Sequence, residues 1–298
     1  MKLSIVIASY NRAQGLVAFL CELSRQRVTN GVEWEAVIVD NNSNDGTRLA
    51  IAPLLSAHPQ KFKYLFEGRQ GKSLALNAGI AEAKGEVFVF TDDDCVPDPD
   101  WLAAIAREFS ADPSLGALGG RVELFSEEDR PVSIRTSRER TLVSSRDQLL
   151  SLLIGCNMAI RRSALEVVGG FDPFLGPGTR LPAMEDLDLL YRIFRKGLKI
   201  IYSPDALVLH NHGRTSDEQI QALNRGYVVG RGAFYCKHVL TGDVDVLRMA
   251  YWEVSSLARK LLKTFFTTEK QNGQAGFLWA LFVGGVRRLV WNQTVRKA

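Results

Sequence analysis

Val87-Phe88-Val89-Phe90-Thr91-Asp92-Asp93-Asp94 is the stretch whose reading decides the fold. An apolar run of strand length with no polar alternation suits a strand buried on both faces, as in parallel sheets. The run ends in three carboxylates, at the strand end where α/β sheets bind their ligands. Upstream, 73–83 has a helical pattern and 62–66 reads as a strand. Asp45-Gly46-Thr47 opens a helix to about 57, and 34–39 is a strand ending at Asp40. Leu16, Phe19, Leu20 and Leu23 give 13–26 helical spacing, and 3–8 is a first apolar strand. Downstream come a helix over 99–109 and a strand over 116–124. This alternation predicts right-handed βαβ units, hence an α/β fold with a Rossmann-like, mostly parallel central sheet flanked by helices.

Beyond that core, 126–147 is polar and carries Arg130, Arg135, Arg138, Arg140 and Arg146. It reads as a surface loop or short helix; its arginines would suit a pyrophosphate-bearing ligand, and a solvated charged loop fits the same residues at least as well. A helix is expected over 184–195, short strands over 199–202 and 206–209, and a helix over 216–235. From about 244 the chain reads as basic, amphipathic helix. The expected division is a catalytic domain over 1–236 and a helical C-terminal extension over 237–298.

The chain has 298 residues, 46% hydrophobic and 23% charged, which excludes a disordered chain, a collagen-like fibre and a disulfide-stapled scaffold. Lys plus Arg number 37 against 33 for Asp plus Glu, a net charge of +4. Residues 237–298 hold 10 of those cations against 4 anions, so the body is slightly acidic. With no basic-aromatic motif, this argues against a nucleic-acid partner. Cys21, Cys95, Cys156 and Cys236 form no CxxC pair and suit reduced thiols in the cytoplasm. The opening run 3–8 is shorter than a signal-peptide core of about 7–15 residues. No stretch approaches the roughly 20 apolar residues of a membrane-spanning helix.

Asp40 and the Asp92–Asp94 group both follow strands and so share one sheet edge. Carboxylates crowded on a tight turn need a counter-charge to ionise together. A divalent cation, Mn²⁺ or Mg²⁺, held between Asp94 and a diphosphate would supply it. The alternative is an acidic turn capping the helix that begins near Pro99.

Several segments together resemble the family 2 inverting glycosyltransferases with the GT-A fold. They are Leu3-Ser4-Ile5-Val6-Ile7-Ala8-Ser9-Tyr10-Asn11-Arg12, Val39-Asp40-Asn41-Asn42-Ser43, Gly71-Lys72-Ser73-Leu74-Ala75-Leu76-Asn77-Ala78-Gly79 and Thr91-Asp92-Asp93-Asp94-Cys95. Gly155-Cys156-Asn157-Met158-Ala159-Ile160-Arg161-Arg162, Val168-Gly169-Gly170-Phe171-Asp172, Glu185-Asp186-Leu187-Asp188-Leu189 and Tyr202-Ser203-Pro204 continue the series in order. The resemblance covers about residues 3–212 and leaves the tail from about 237 unmatched.

The resemblance implies sugar transfer from a nucleoside-diphosphate sugar linked to UDP, GDP or dTDP. It implies that Ala8, Ser9, Tyr10, Asn11 and Arg12 lie under the base, although the family more often has Pro at position 8. Asp40 would bind base or ribose, and Lys72 would lie near the nucleotide. Asp92 and Asp94 match the ends of the D-x-D motif, with Asp92 toward the ribose, Asp94 on the metal and Asp93 at the variable position. Glu185-Asp186 matches the catalytic E-D motif, whose Asp is the general base. The pair also sits where a helix starts, and a helix N-terminus favours an ionised carboxylate. That position equally suits an acid that only caps the helix. Asp188 faces elsewhere and reads as structural.

In many relatives a histidine near position 210 completes the metal shell. His210 and His212 are two apart and would share one face of a strand. Imidazole suits Mn²⁺ better than Mg²⁺. His210 is the first choice, against the reading that it orders the following loop. Gly120 and Asn157 read as close-approach positions at the donor sugar or acceptor, or as strand ends.

Two other functions compete. A sugar-1-phosphate nucleotidylyltransferase wants a glycine-rich loop after the first strand, whereas this chain has Ser9-Tyr10-Asn11-Arg12 there. A non-catalytic nucleotide-sugar-binding module would not need both Asp94 and Asp186. The acceptor is a saccharide, a lipid-linked saccharide or a protein, in polysaccharide, glycolipid or glycan assembly.

In the tail, Leu247, Tyr251, Val254, Leu257, Leu261, Leu262 and Phe265 lie near one helical face with Arg248, Arg259, Lys260 and Lys263. A second helix carries Phe277, Leu278, Trp279, Leu281, Phe282, Leu289 and Trp291 beside Arg287 and Arg288. Basic amphipathic helices with Trp and Phe lie in membrane interfaces. The same faces would suit packing on the catalytic domain or a second copy of the chain in a homo-oligomer.

Overall fold

The computed structural model describes residues 1–29, 31–265 and 274–295. The chain divides into two compact units, one formed by Met1–Pro173 with Glu185–Ser216, the other by Phe174–Met184 with the chain from Asp217 onward. The boundary expected at 236 falls inside a helix, and the loop 174–184 joins the second unit although it lies far back in the sequence.

The first unit contains, in order, β1 (Lys2–Ser9), α1 (Ala13–Ser24), β2 (Glu33–Asp40), α2 (Thr47–Ala57), β3 (Phe62–Phe66), α3 (Lys72–Glu82) and β4 (Val87–Thr91). It continues through β5 (Cys95–Pro97), α4 (Trp101–Ala111), β6 (Leu115–Leu124), β7 (Thr141–Leu142), α5 (Arg146–Leu152), β8 (Asn157–Arg161), α6 (Arg162–Val168), α7 (Glu185–Arg195) and β9 (Lys199–His210). The sheet runs β3-β2-β1-β4-β8-β6-β9-β5, with β7 added on β9.

The half formed by β3, β2, β1 and β4 is parallel, as the sequence pattern predicts. Leu3, Ile5, Val6 and Ile7 of β1 are wholly buried, which is why this strand shows no polar alternation. Leu16, Phe19, Leu20 and Leu23 of α1 and Trp101, Leu102, Ile105 and Phe109 of α4 pack into the same core as β1.

β8 runs antiparallel to both β4 and β6, which turns the sheet from parallel to mixed. The reversal has a functional consequence. Parallel strands bring their carboxyl ends to one edge, whereas a reversed strand brings its amino end there. Asn157 therefore pairs with Thr91, and Gly155 and Cys156 arrive beside the acidic turn.

The two strands expected over 199–202 and 206–209 are one strand, β9. Its register on β6 jumps from Gly120↔Ser203 to Arg121↔Leu207, so Pro204, Asp205 and Ala206 bulge out. The proline interrupts the apolar pattern without ending the strand, as prolines at bulges do. The arginine-bearing segment 126–147 is an ordered strap. Val122 and Arg135 exchange backbone hydrogen bonds at 2.8 Å in both directions, and β7 pairs with β9.

The second unit holds α8 (Asp217–Leu240), α9 (Val244–Phe265) and α10 (Gln274–Val295). Leu175, Leu181 and Ala233 form its buried cluster. α8 and α10 pack closely enough that a Cβ on Gly232 would lie 2.0 Å from the Leu281 carbonyl oxygen. Val244, Leu247, Tyr251, Trp252 and Val254 of α9 are exposed, as are Trp279 and Phe282 of α10. Arg287 donates to the Arg180 carbonyl and Arg288 is buried over the Phe174 ring, so these two cations serve the unit itself. The side chains of Lys260, Leu261, Leu262, Lys263, Phe265 and Trp291 lie outside the described residues.

Candidate active site

The carboxyl edge of the sheet gathers three turns. The first follows β4 and holds Asp92, Asp93 and Asp94. Each has a different nearest partner, and Asp93 and Asp94 share Arg12. Asp92 accepts from Lys72, which starts α3. Asp93 is buried, accepting from Ser9 Oγ at 2.6 Å and pairing with Arg12 Nε at 3.1 Å. Asp94 faces the end of β9, with His210 Nε2 at 3.5 Å and an Arg12 nitrogen at 3.8 Å.

Burial sets the electrostatics of this turn. It pushes Asp93 up to about 7, against the pull of Ser9 and Arg12 and with help from the flanking carboxylates. Asp94 goes the other way. Burial alone would raise it, but His210 and then Arg12 hold it below the usual carboxylate range. Burial would likewise lower His210, yet the Asp94 carboxylate prevails and raises it to about 9.

The third acidic group, at the start of α7, completes the edge. Lys72 Nζ lies 3.9 Å from Glu185 Oε1 while it donates to Asp92. One ammonium thus joins the turn after β4 to the turn that opens α7. Burial opposes its charge, but Asp92 and Glu185 keep Lys72 raised and firmly protonated. Glu185 is buried. Burial first, and the adjacent Asp186 charge second, push it up to about 7 despite Lys72.

Asp186 is half-buried. Its Oδ2 accepts from the Gly155 N–H at 2.7 Å and its Oδ1 from the Leu187 N–H at 2.7 Å. These two donors fix the carboxylate's orientation. Asp188, by contrast, is wholly buried and pairs with Arg192 at 2.9 Å, one helical turn on. It is a structural ion pair, as its different facing suggests.

The segment after β1 has mixed roles. Ala8 is partly exposed, Ser9 is spent on Asp93, and Tyr10 is 48% exposed at the surface. Asn11 adopts a positive φ of 51° and cross-links the loop after β2, donating through its N–H to Ser43 Oγ and accepting from the Asn44 N–H. Asp40 is buried, accepting from the Ser43 N–H at 2.9 Å and from Tyr64 Oη at 2.8 Å. It lines an open depression with Arg48, Tyr64 and Phe66, and the 55% exposed Phe66 ring supplies an apolar face there. Sequence reasoning missed Tyr64 and Phe66, because inside β3 they read only as strand residues.

Two expected site residues prove to hold the sheet together. Asn157 is wholly buried, and its polar atoms are engaged internally. Its Nδ2 donates to the Arg121 and Ala206 carbonyls at 2.8 Å, and its Oδ1 accepts from Trp101 Nε1 at 2.9 Å. Gly120 lies against it, since a Cβ there would meet Asn157 Nδ2 at 2.3 Å. Together they close the sheet around the β9 bulge.

The arginines of the strap are also largely committed. Arg140 makes a forked pair with Glu108, and Arg130 donates to the Thr215 carbonyl. Arg138 stays 77% exposed. His212 does not join His210 at Asp94. Its Nδ1 accepts from the Arg214 N–H at 3.0 Å and lies 3.6 Å from Asp129.

The residues fit a divalent cation at Asp94. Its Oδ1 is buried and accepts no hydrogen bond, while His210 Nε2 stands too far for a good one. An orphaned carboxylate oxygen facing an imidazole nitrogen is a donor pair that Mn²⁺ accepts.

Comparison with known proteins identifies the family and the fold. The family model described as Glycosyl transferase family 2 matches residues 4–169, and that described as Glycosyl transferase family group 2 matches residues 87–286. The chain is 30% identical over 183 residues to an uncharacterised glycosyltransferase of Nostoc sp., covering 58% of this chain and 55% of that protein. It is 28% identical over 220 residues to the pre-mycofactocin glycosyltransferase of Mycobacterium tuberculosis, covering 70% of this chain and 42% of that protein. The chain therefore spans about half the length of these curated relatives. Among solved structures, a mannosyltransferase of Pyrobaculum calidifontis in complex with GDP-Man and Mn²⁺ shares the fold. Its TM-score is 0.64 at 22% identity, over 96% of this chain and 86% of that one.

Proposed function

The chain belongs to glycosyl transferase family 2, and from that premise we propose that it moves a sugar from a nucleoside-diphosphate donor to an acceptor hydroxyl by one inverting displacement. The observation that carries this reading is Lys72, whose single ammonium holds the Asp92–Asp94 turn beside the Glu185–Asp186 turn. A leaving-group site and a base site need that proximity.

Asp186 is the general base. It takes the acceptor hydroxyl proton while that oxygen bonds to the anomeric carbon and the bond to the diphosphate breaks with its electron pair. Attack from the opposite face inverts the carbon. Gly155 and Leu187 aim the carboxylate. Asp94 and His210 would hold a divalent cation, preferably Mn²⁺, whose chemistry when bound is to neutralise the departing diphosphate. Arg12, already between Asp93 and Asp94, adds positive charge on the same side. Asp40 and the open depression with Tyr64 and Phe66 take the base or ribose.

The donor is linked to GDP or UDP, the first by likeness to the mannosyltransferase complex. The exposed aromatics of α9 and α10 seat the protein on a lipid surface that carries its acceptor. Among the described residues no helix is long and apolar enough to cross a membrane.

Incubation with GDP-, UDP- and dTDP-sugars and Mn²⁺, with release of free nucleoside diphosphate as readout, tests the reading. Release with one donor class is expected. Absence of both release and nucleotide-induced thermal stabilisation across all classes would overturn it.

A further inference from the structure

Behind the Asp94–His210 pair lies a second set of donors. Cys95 Sγ, Cys156 Sγ and a ring nitrogen of His210 all lie within 4.8 Å of one another, and all three residues are buried. Cys95 opens β5 and is the direct register partner of His210 on β9, so the two side chains share one face of the sheet. Cys156 arrives from the amino end of the reversed β8, which meets β4 at Thr91↔Asn157. Two paired strands and the residue that leads into β8 therefore bring the three side chains together. Neither thiol is in a disulfide, and the Cys95 thiol has only a 3.8 Å contact to the Cys156 carbonyl.

The donor chemistry differs from that of the acidic turn. Two sulfurs and an imidazole are a soft set, which favours Zn²⁺ over Mn²⁺ and Mg²⁺. A tetrahedral zinc site, with Zn–S near 2.3 Å and Zn–N near 2.0 Å, places its ligand atoms roughly 3.3–3.8 Å apart. From separations of at most 4.8 Å, closure by no more than about 1.0–1.5 Å brings these three to that spacing.

We propose that Cys95, Cys156 and His210 form a binding site for a thiophilic divalent cation such as Zn²⁺, distinct from the oxygen-rich site at Asp94 but sharing His210 with it. Binding releases to solvent the two thiol protons and the proton on the ligating ring nitrogen of His210, and forms two metal–sulfur bonds and one metal–nitrogen bond. His210 serves one cation at a time, so occupancy by Zn²⁺ antagonises Mn²⁺. That last consequence rests on the glycosyltransferase reading; the binding itself does not.

Co²⁺, a spectroscopic substitute for Zn²⁺, separates the two. The full chain, reduced and held under argon, is titrated with Co²⁺ while sulfur-to-cobalt charge-transfer absorption is followed. Cys95→Ser and Cys156→Ser are titrated alongside, with circular dichroism as the check that they fold. One equivalent of Co²⁺ should give the absorption, Zn²⁺ should bleach it, and either substitution should weaken binding by at least ~10-fold. A folded wild type without the absorption, or one whose absorption survives both substitutions, would overturn the site. Mn²⁺ binding, read separately by electron paramagnetic resonance, should fall as Zn²⁺ fills the wild type. If Mn²⁺ never binds, the metal-dependent transfer mechanism fails while the cobalt result stands.

Discussion

The backbone N–H of Gly155 donates to Asp186 Oδ2 at 2.7 Å, and a Cβ on residue 155 would lie 2.6 Å from that same oxygen. The loop before β8 and the first turn of α7 are thus pressed together at the point where the proposed base is aimed. Only glycine permits the contact, so its place in the motif is explained by the carboxylate it touches.

Gly155→Ala should therefore displace Asp186 while leaving the turn after β4 intact. A shift of about 1 Å at a reacting group costs roughly 100-fold in rate, and the overpacking costs about 1–3 kcal/mol in stability. Steady-state kinetics should show kcat falling with donor KM little changed. An unaltered kcat would detach this contact from catalysis.

Asp186→Asn preserves shape and removes the proton acceptor. General-base catalysis contributes about 10²–10⁴-fold, so transfer should fall by that factor. Binding of nucleoside diphosphate with Mn²⁺, measured by titration calorimetry, should persist because Asp94 and His210 are untouched. Normal turnover in this variant would refute the assignment.

Glu185 provides a pH test. Its ordinary value is 4.5, and burial with the Asp186 charge pushes it up to about 7. A group raised on folding stabilises fully below its unfolded value and loses that contribution as pH rises through the folded one. Glu185→Gln mimics the protonated form at every pH. Its Tm should thus climb relative to wild type between about pH 5 and pH 8, by an amount worth up to roughly 3 kcal/mol. Asp93, also raised to about 7, runs in the same direction but is present in both proteins and cancels in the difference. A Tm difference flat with pH would mean that Glu185 is ionised throughout.

Asn157→Ala separates a fold role from a sugar contact. It orphans Trp101 Nε1 and the Arg121 and Ala206 carbonyls. At about 1–3 kcal/mol per orphaned buried group, the Tm should drop by many degrees while the donor KM of the folded fraction stays put. A higher KM at unchanged Tm would return Asn157 to the ligand.

The contrast between Asp186 and Asn157 shows where the sequence was legible. Acids at strand and helix ends are positional signals, since periodicity alone places them on the sheet edge. The direction of β8 is not such a signal, because a five-residue strand with four buried residues reads alike in either direction. Whether Asn157 faces a ligand or three internal partners depends on contacts from β6, α4 and β9. Cys95 and Cys156, 61 residues apart, meet only through that same reversed strand. The grouping of 174–184 with α8 is tertiary in the same sense.

The tail yields the last prediction. Trp252 is 61% exposed and Trp279 65%, and both lie in the second unit, outside the acidic sheet edge. Arg287 and Arg288 are engaged within that unit, whereas Arg248 pairs with Asp245 at 3.7 Å and Arg259 donates to the Ser255 carbonyl inside α9; on the proposed membrane reading these two arginines and the exposed aromatics are what would meet lipid. Indole rings favour the headgroup boundary, and each basic residue adds about 1 kcal/mol on anionic lipid. Wild-type protein should co-sediment with vesicles containing phosphatidylserine more than with phosphatidylcholine alone. High salt should weaken the electrostatic share, because the screening length shrinks from about 10 Å at 0.1 M to about 3 Å at 1 M. The double variant Trp252→Glu, Trp279→Glu should stay in the supernatant, because a charge at the headgroup boundary replaces an anchor while no buried contact is lost. Wild-type protein that ignores both vesicles but runs as a dimer on gel filtration, with the double variant monomeric, would assign the face to a second copy of the chain.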